Sequence, residues 1–244
     1  MWWAGSKPYD VYLGTRAFAV CRGVEVQHVQ AVAGQHAGIE ALGAWLSKGQ
    51  PRRRLRVWLS GGLCRPFIVR EVPGVSGEAE WQRVAEAMAP AQCGWDGPCR
   101  VWLEKNGRRG DVRMAVAMEQ QCLQPLLQCV QQAAGRHRVA AIRPWWSEAL
   151  RAALQREPAL SALAVQDCDA LTVLTGAGNC FETVMVITPV VDAASADAAL
   201  ARWQLTAEVS QSQPLMNARL LLEQPQMASA AGAMALDALT RWSR

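Results

Sequence analysis

Short apolar runs separated by turn residues predict a three-stranded meander at the start of the chain. These runs cover residues 9–13, 17–21 and 24–32. Residues 35–47 then carry apolar side chains at helical spacing, and residues 55–59 form another apolar run. The pattern therefore predicts three strands, a helix and a strand, with a further strand over residues 66–72.

The last third of the chain repeats this order. Strand-like runs cover residues 159–165, 171–174 and 180–190. An Ala-rich helix over residues 193–203, a strand over 216–222 and a helix over 227–242 are predicted to follow. A pattern used twice along one chain indicates an internal duplication.

The middle of the chain alternates helices and strands. Helices are predicted over residues 77–88, 120–134 and 145–155, and strands over 100–104, 112–118 and 138–142. We therefore predict a first subdomain over residues 1–156, with an inserted strand and helix segment over about residues 73–118. Residues 157–244 are predicted to form the second subdomain.

Composition is that of an ordinary globular protein, with 51% hydrophobic and 19% charged residues. The chain has no signal-peptide pattern at its start and no uninterrupted apolar run of about 18 residues, so no membrane span is expected. Its eight cysteines include no Cys-x-x-Cys pair, and it has three histidines. We therefore predict reduced thiols, a cytoplasmic location and no metal site.

Arginine supplies most of the positive charge. Two clusters of basic residues stand out, one at Arg52, Arg53 and Arg54 and one over residues 105–113. Both clusters fall in turn-like positions, which favours solvated loops over a nucleic-acid-binding surface. Either cluster could also face anionic lipid or an acidic partner.

Two successive meanders, each completed by helices and strands, resemble the duplicated ribonuclease-H-like subdomains of the actin and sugar-kinase superfamily. Within it the chain looks most like the PilM and GspL families, which are cytoplasmic assembly proteins of type IV pili and type II secretion. Residues 12–15, Tyr-Leu-Gly-Thr, match the family's Asp-x-Gly-Ser/Thr corner. Residues 228–236 are similar to the small-residue helix that ends the fold. The resemblance implies an α/β fold of two ribonuclease-H-like subdomains in an actin-like arrangement, with mixed sheets flanked by helices.

The chain departs from the family pattern where the nucleotide would bind. Tyr12 replaces the carboxylate of the first corner, and Asp10 lies about 7 Å further back along the strand, too far to replace it. The second corner, Asp167 to Asp169, lacks the family's glycine, and Leu-Glu-Gln-Pro at 222–225 replaces its Gly-Gly turn.

These departures imply a vestigial nucleotide site at Gly14, Thr15, Asp167 and Asp169, with no bound cofactor and no ATP hydrolysis. Retained binding of ATP with Mg²⁺ is the alternative. For the two aspartates, a further interpretation is that they are solvated turn residues.

Two tryptophan pairs fall at the edges of predicted elements. Exposed aromatic pairs are favoured anchors for a partner, so Trp2, Trp3, Trp145 and Trp146 are candidate partner contacts. For Trp145 and Trp146, packing in the core or between the two subdomains is the alternative interpretation.

The resemblance implies a scaffold peripheral to the bacterial inner membrane that binds the cytoplasmic segment of a single-span assembly protein in the groove between subdomains. It further implies possible contact with the assembly ATPase and possible homo-oligomers. A divergent actin-like ATPase or small-molecule kinase is the first alternative, and a nucleic-acid-binding protein is the second. The chain could also be the soluble part of a longer membrane protein.

Overall fold

Three β-sheets with flanking helices make up the part of the protein that the structure describes. The computed structural model describes residues 8–22, 25–48, 53–104, 112–134, 136–177, 180–190, 192–206, 215–220 and 240–243. None of the helices within these ranges is long and apolar enough to cross a membrane.

The first sheet contains five strands in the order β3-β2-β1-β4-β8. Its strands are β1 (Tyr9–Leu13), β2 (Ala17–Arg22), β3 (Glu25–Ala31), β4 (Arg54–Leu59) and β8 (Arg138–Pro144). The first three form the predicted antiparallel meander, and β4 runs parallel to β1. Helices α1 (Ala37–Ser47) and α3 (Gln120–Ala133) cover one face, and α4 (Trp145–Arg156) covers the other.

The second sheet repeats this strand order as β11-β10-β9-β12-β13. Its strands are β9 (Ala162–Gln166), β10 (Leu171–Ala177), β11 (Cys180–Ile187), β12 (Leu215–Leu220) and β13 (Thr240–Ser243). Helix α5 (Ala193–Thr206) lies against it. Because two sheets share one strand order, the predicted duplication and mixed-sheet fold class are confirmed.

The end of the chain differs from the prediction. Residues 240–243 were expected to continue a helix, whereas they form β13 and pair antiparallel with β12. Thr240 and Trp242 favour extended structure, and the pairing gives β12 a neighbour on its outer side. The rest of the predicted helix, from residue 227, lies outside the described residues.

The inserted sheet begins earlier than expected. Its strands are β5 (Arg65–Arg70), β6 (Cys99–Leu103) and β7 (Val112–Glu119), in the order β5-β7-β6, with α2 (Glu78–Cys93) on one face. The first of these strands, β5, was assigned to the first subdomain. It belongs to the insertion because β6 and β7 alone would make a two-stranded ribbon, which is only marginally stable.

Helix α4 forms a core shared by the two large sheets. Trp145 and Trp146 are only 1% and 2% exposed, and they pack between Trp58 of the first sheet and Leu163 of the second. The Trp146 indole donates a hydrogen bond to the Cys64 carbonyl at 3.2 Å. The interpretation of this pair as exposed partner anchors is therefore wrong, and core packing is the observed role. Alanines along α4 leave room for the two large rings.

Candidate functional site

Two corners, one from each large sheet, meet in the middle of the molecule. The first corner is residues 12–15, at the end of β1, and the second corner is residues 167–169, just after β9. Strands β1 and β9 occupy equivalent places in their sheets. The duplicated fold therefore brings both predicted nucleotide-site segments together.

The Asp169 carboxylate binds directly to the first corner. Its Oδ2 atom accepts hydrogen bonds from the Thr15 backbone N–H at 2.5 Å and from the Thr15 hydroxyl at 2.8 Å. The Ser60 hydroxyl donates a third bond to the same atom at 3.0 Å. A backbone N–H and hydroxyl groups are the donors that such a corner would offer a phosphate. A carboxylate of the protein itself therefore uses the phosphate donors of the first corner.

Asp167 adds a second connection between the sheets. Its Oδ2 atom accepts a hydrogen bond from the Gly61 backbone N–H at 2.7 Å. Its Oδ1 atom accepts bonds from the backbone N–H groups of Asp169 and Ala170, at 3.1 and 2.9 Å, which fixes the shape of the second corner. Both aspartates are almost completely buried. The interpretation of them as solvated turn residues is therefore wrong.

Electrostatics favour one proton in this pair of carboxyl groups. Burial raises the pKa of Asp167 well above its ordinary value, and the nearby negative charge of Asp169 raises it further. Two close carboxylates in a buried site resist ionising together. Asp167 is therefore held toward its neutral form.

Tyr12 lies at the corner position where the sequence resemblance would place a carboxylate. Its ring is fully buried, and its hydroxyl accepts a hydrogen bond from the Cys168 backbone N–H at 3.3 Å. Burial raises the pKa of this phenol well above its ordinary value, and the charges of the second corner raise it further. A neutral phenol buried against the opposite corner is a poor ligand for Mg²⁺, which prefers charged oxygen ligands.

Glycines allow the elements around the two corners to come close. A Cβ atom on Gly38 of α1 would lie 2.4 Å from the Gly14 carbonyl oxygen. A Cβ atom on Gly62 would lie 2.9 Å from Oδ1 of Asp169, and one on Gly14 would lie 3.0 Å from Oδ2. The Asp169 carboxylate is therefore closely surrounded by backbone.

These residues do not fit a nucleotide with its Mg²⁺. The Thr15 donors are used by Asp169, and Tyr12 stands in the carboxylate position. The remaining acid of β1, Asp10, accepts two hydrogen bonds from Arg56 at 2.7 Å and one from the Trp58 indole at 2.9 Å. It is held by the neighbouring strand β4 and lies two residues back along β1 from Tyr12. The segment 222–225, the third predicted departure, lies outside the described residues.

A cleft of about 870 Å³ opens beside the first corner. The first subdomain, the inserted segment and the second subdomain all line it, through residues such as Thr15, Glu119, Trp95 and Pro189. The Arg65 guanidinium lies 4.8 Å from the centre of the Trp95 ring and donates to the Cys93 carbonyl. Glu119 accepts a hydrogen bond from Gln35 across the same opening. The cleft therefore presents polar groups of both charges around one aromatic ring.

Sequence reasoning missed three residues of this region: Ser60, Gly61 and Arg65. The run Ser60-Gly61-Gly62 directly after a buried strand was the available signal for the first two, since such a turn presents backbone N–H groups. Arg65 had no local signal, because its place in the cleft depends on the inserted sheet.

The other candidate partner residues lie elsewhere. Arg53 and Arg54 are at the start of β4, at the opposite end of the sheet from the first corner. Trp2, Trp3 and Arg52 lie outside the described residues.

Comparison with protein-family models gave no match, and comparison with curated proteins also gave none. Among solved structures, the chain is similar to a Bacteroides thetaiotaomicron protein with an actin-like ATPase fold and unknown function. The two are 10% identical, with a TM-score of 0.51 over 82% of this chain and 78% of that chain. The protein therefore has the actin-like ATPase fold that the sequence predicted.

Two further similar structures come from bacterial assembly systems. One is the cytoplasmic domain of EpsL, an inner membrane component of the type II secretion system of Vibrio cholerae, at 15% identity and a TM-score of 0.49 over 95% of this chain and 92% of that chain. The other is the PilM–PilN type IV pilus biogenesis complex, at 14% identity and a TM-score of 0.47 over 75% and 61%. Both TM-scores are below 0.5, so the function of this protein has to be argued from its site.

Proposed function

We propose that this protein is a non-catalytic scaffold of an inner-membrane assembly platform, of the type IV pilus or type II secretion kind. In this role it binds the cytoplasmic segment of a single-span membrane protein and does not hydrolyse ATP. The observation that carries the proposal is the Asp169 carboxylate on the Thr15 and Ser60 donors. The sequence resemblance to PilM and GspL supplies the class of assembly.

The occupied corner opposes nucleotide chemistry in two ways. A phosphate entering the first corner would have to displace Asp169 and break three hydrogen bonds between the two large sheets. It would also bring negative charge beside the displaced Asp169 carboxylate, and the repulsion between negative charges is strong where water is excluded. The same contacts hold the two sheets together, which suits a protein whose task is to keep a fixed shape.

The cleft supports the binding part of the proposal. Its volume falls within the range of sites that hold small ligands or short peptide segments. Arg16 and Arg65 provide positive charge, Asp96 and Glu119 provide negative charge, and Trp95 provides an aromatic surface. Such a mixture suits a peptide with charged and apolar side chains.

The test begins with affinity capture from host membranes and identification of the recovered single-span proteins. A peptide of each cytoplasmic segment is then titrated against the wild type and against Gln121→Trp, which places a bulky ring at the mouth of the cleft. Gln92→Trp, at an exposed position of α2 that does not line the cleft, is the matched control. We expect the peptide to lose affinity for Q121W and to keep it for Q92W. Equal affinity for both variants would remove the cleft as the partner site.

A further inference from the structure

Six basic residues lie together at the end of the first sheet that faces away from the cleft. They are Arg22, Lys48, Arg53, Arg54, Arg136 and Arg138, and we call them the basic pole. Strand pairing places Arg22 beside Tyr9 and Arg54 beside Arg138. Lys48 follows the last turn of α1, whose Trp45 ring lies 6.4 Å from Tyr9. The strand register thus assembles charges that are far apart in the sequence.

Among the residues that the structure describes, two acidic side chains can be placed beside this pole. Glu25 lies opposite Arg22 in the strand register, and the buried Asp10 is held by Arg56. Within the described residues, no ion pair joins Arg54 or Arg138 to a carboxylate, and both side chains are exposed. Burial lowers the pKa of His137, and the positive charges of Arg53 and Arg136 lower it further. Positive potential opposes the protonation of an imidazole, so the effect of these arginines on His137 agrees with a concentration of positive charge at this end of the sheet.

Aromatic rings lie beneath the charges. The Arg53 guanidinium lies 4.2 Å from the centre of the Tyr9 ring and 5.4 Å from that of Trp45, and Arg22 lies 5.6 Å from Tyr9. In these contacts the guanidinium groups lie over the aromatic rings and cover them. A nucleic-acid site would instead offer exposed rings on which bases can stack. The arrangement favours an extended anionic surface over a polynucleotide.

We propose that the basic pole is a docking surface for anionic phospholipid headgroups. The inference deepens the proposed function and rests on it, because it states which end of the scaffold faces the membrane. Basic residues near an anionic bilayer each strengthen binding about fivefold, and this attraction falls off within a Debye length. With the pole on the bilayer, the cleft at the other end of the sheet opens away from the lipid.

Vesicle flotation of the full chain tests the inference. The probes are vesicles of phosphatidylcholine alone and vesicles in which one third of the lipid is phosphatidylglycerol. We expect flotation with the anionic vesicles only, and weaker flotation as salt is added. Arg54→Gln should lower the partition coefficient about fivefold, and R54Q with R138Q about 25-fold.

The matched control is Arg83→Gln with Arg100→Gln, two exposed arginines of the inserted segment. Both double variants have the same net charge. If the lipid binds at the basic pole, the control should float like the wild type. Equal losses in the two double variants, or no flotation at low salt, would overturn the inference. So would duplex DNA that binds the pole more tightly than the vesicles and displaces them. Vesicle binding without a captured partner would sink the proposed function instead, so the two failures are distinguishable.

Discussion

Replacing Asp169 by alanine should weaken the connection between the two large sheets. The substitution removes one buried oxygen that accepts three hydrogen bonds, from the Thr15 N–H, the Thr15 hydroxyl and the Ser60 hydroxyl. A hydrogen bond to a charged group contributes about 1.5–3 kcal/mol, and bonds that share one acceptor are not additive. Because Asp167 is held toward its neutral form, the loss of the Asp169 charge relieves little repulsion. We expect the free energy of unfolding at pH 7 to fall by about 2–4 kcal/mol.

Urea denaturation followed by tryptophan fluorescence measures this change, since the chain has 11 tryptophans. Asp169→Asn keeps the shape of the side chain and removes its charge, so its stability should lie between those of the wild type and D169A. Asp197→Ala is the control, because Asp197 pairs with Arg219 at 2.6 Å on the surface and its side chain is 64% exposed. Exposed pairs contribute about 1 kcal/mol or less. If D169A loses no more stability than D197A, the account of the two corners is wrong.

Three further predictions concern Asp167, the glycines of α1 and Trp146. Folding raises the pKa of Asp167, so this residue binds a proton more tightly in the folded protein than in the unfolded chain. The resulting contribution to stability is fully present below about pH 4 and is lost as pH rises through the folded-state pKa. Denaturation across this range should show a weaker pH dependence for Asp167→Asn. This variant should be less stable than the wild type, because its amide nitrogen replaces one of two oxygens that both accept backbone N–H bonds. Gly38→Ala should reduce stability by about 1–3 kcal/mol and so lower the thermal midpoint, because the new Cβ would lie 2.4 Å from the Gly14 carbonyl oxygen. The matched Gly43→Ala on the same helix meets only the Cys129 Sγ at 3.7 Å and should raise it, since alanine favours helix over glycine by about 1 kcal/mol. Trp146→Phe should lower stability by about 1–3 kcal/mol, because it leaves the buried Cys64 carbonyl without its hydrogen-bond donor. Thermal unfolding measures this change, and a stability equal to that of the wild type would contradict the shared core.

The order of strands and helices along most of the chain could be predicted because each element carries its own local signal. The meander turns fall at glycine or other turn residues, and the helices show apolar residues at helical spacing. The extent of the insertion could not be predicted, because β5 looks like any short strand until its partner β7 is known. The final strand was missed because residues 240–243 continue an Ala-rich segment that favours a helix, whereas their pairing with β12 is a tertiary contact.

The two segments of the candidate site could be named from the sequence, but the contacts between them could not. The segments at Thr15 and Asp169 were both named as parts of a vestigial nucleotide site that the resemblance implies. Sequence reasoning treated Asp169 as either a remnant ligand or a solvated residue. It could not show that the carboxylate fills the opposite corner, because that contact joins residues 154 positions apart. Trp145 and Trp146 were ambiguous for the same reason, since the second sheet that buries them is distant in sequence.

Isothermal titration of the wild-type protein with Mg·ATP tests the central claim most directly. The claim is that Asp169 replaces a phosphate on the Thr15 donors and leaves a scaffold without nucleotide chemistry. We predict no saturable heat at nucleotide concentrations up to about 1 mM, a limit that corresponds to a binding free energy of about −4 kcal/mol. Saturable binding with a Kd well below this limit, lost on Thr15→Ala, would contradict the account.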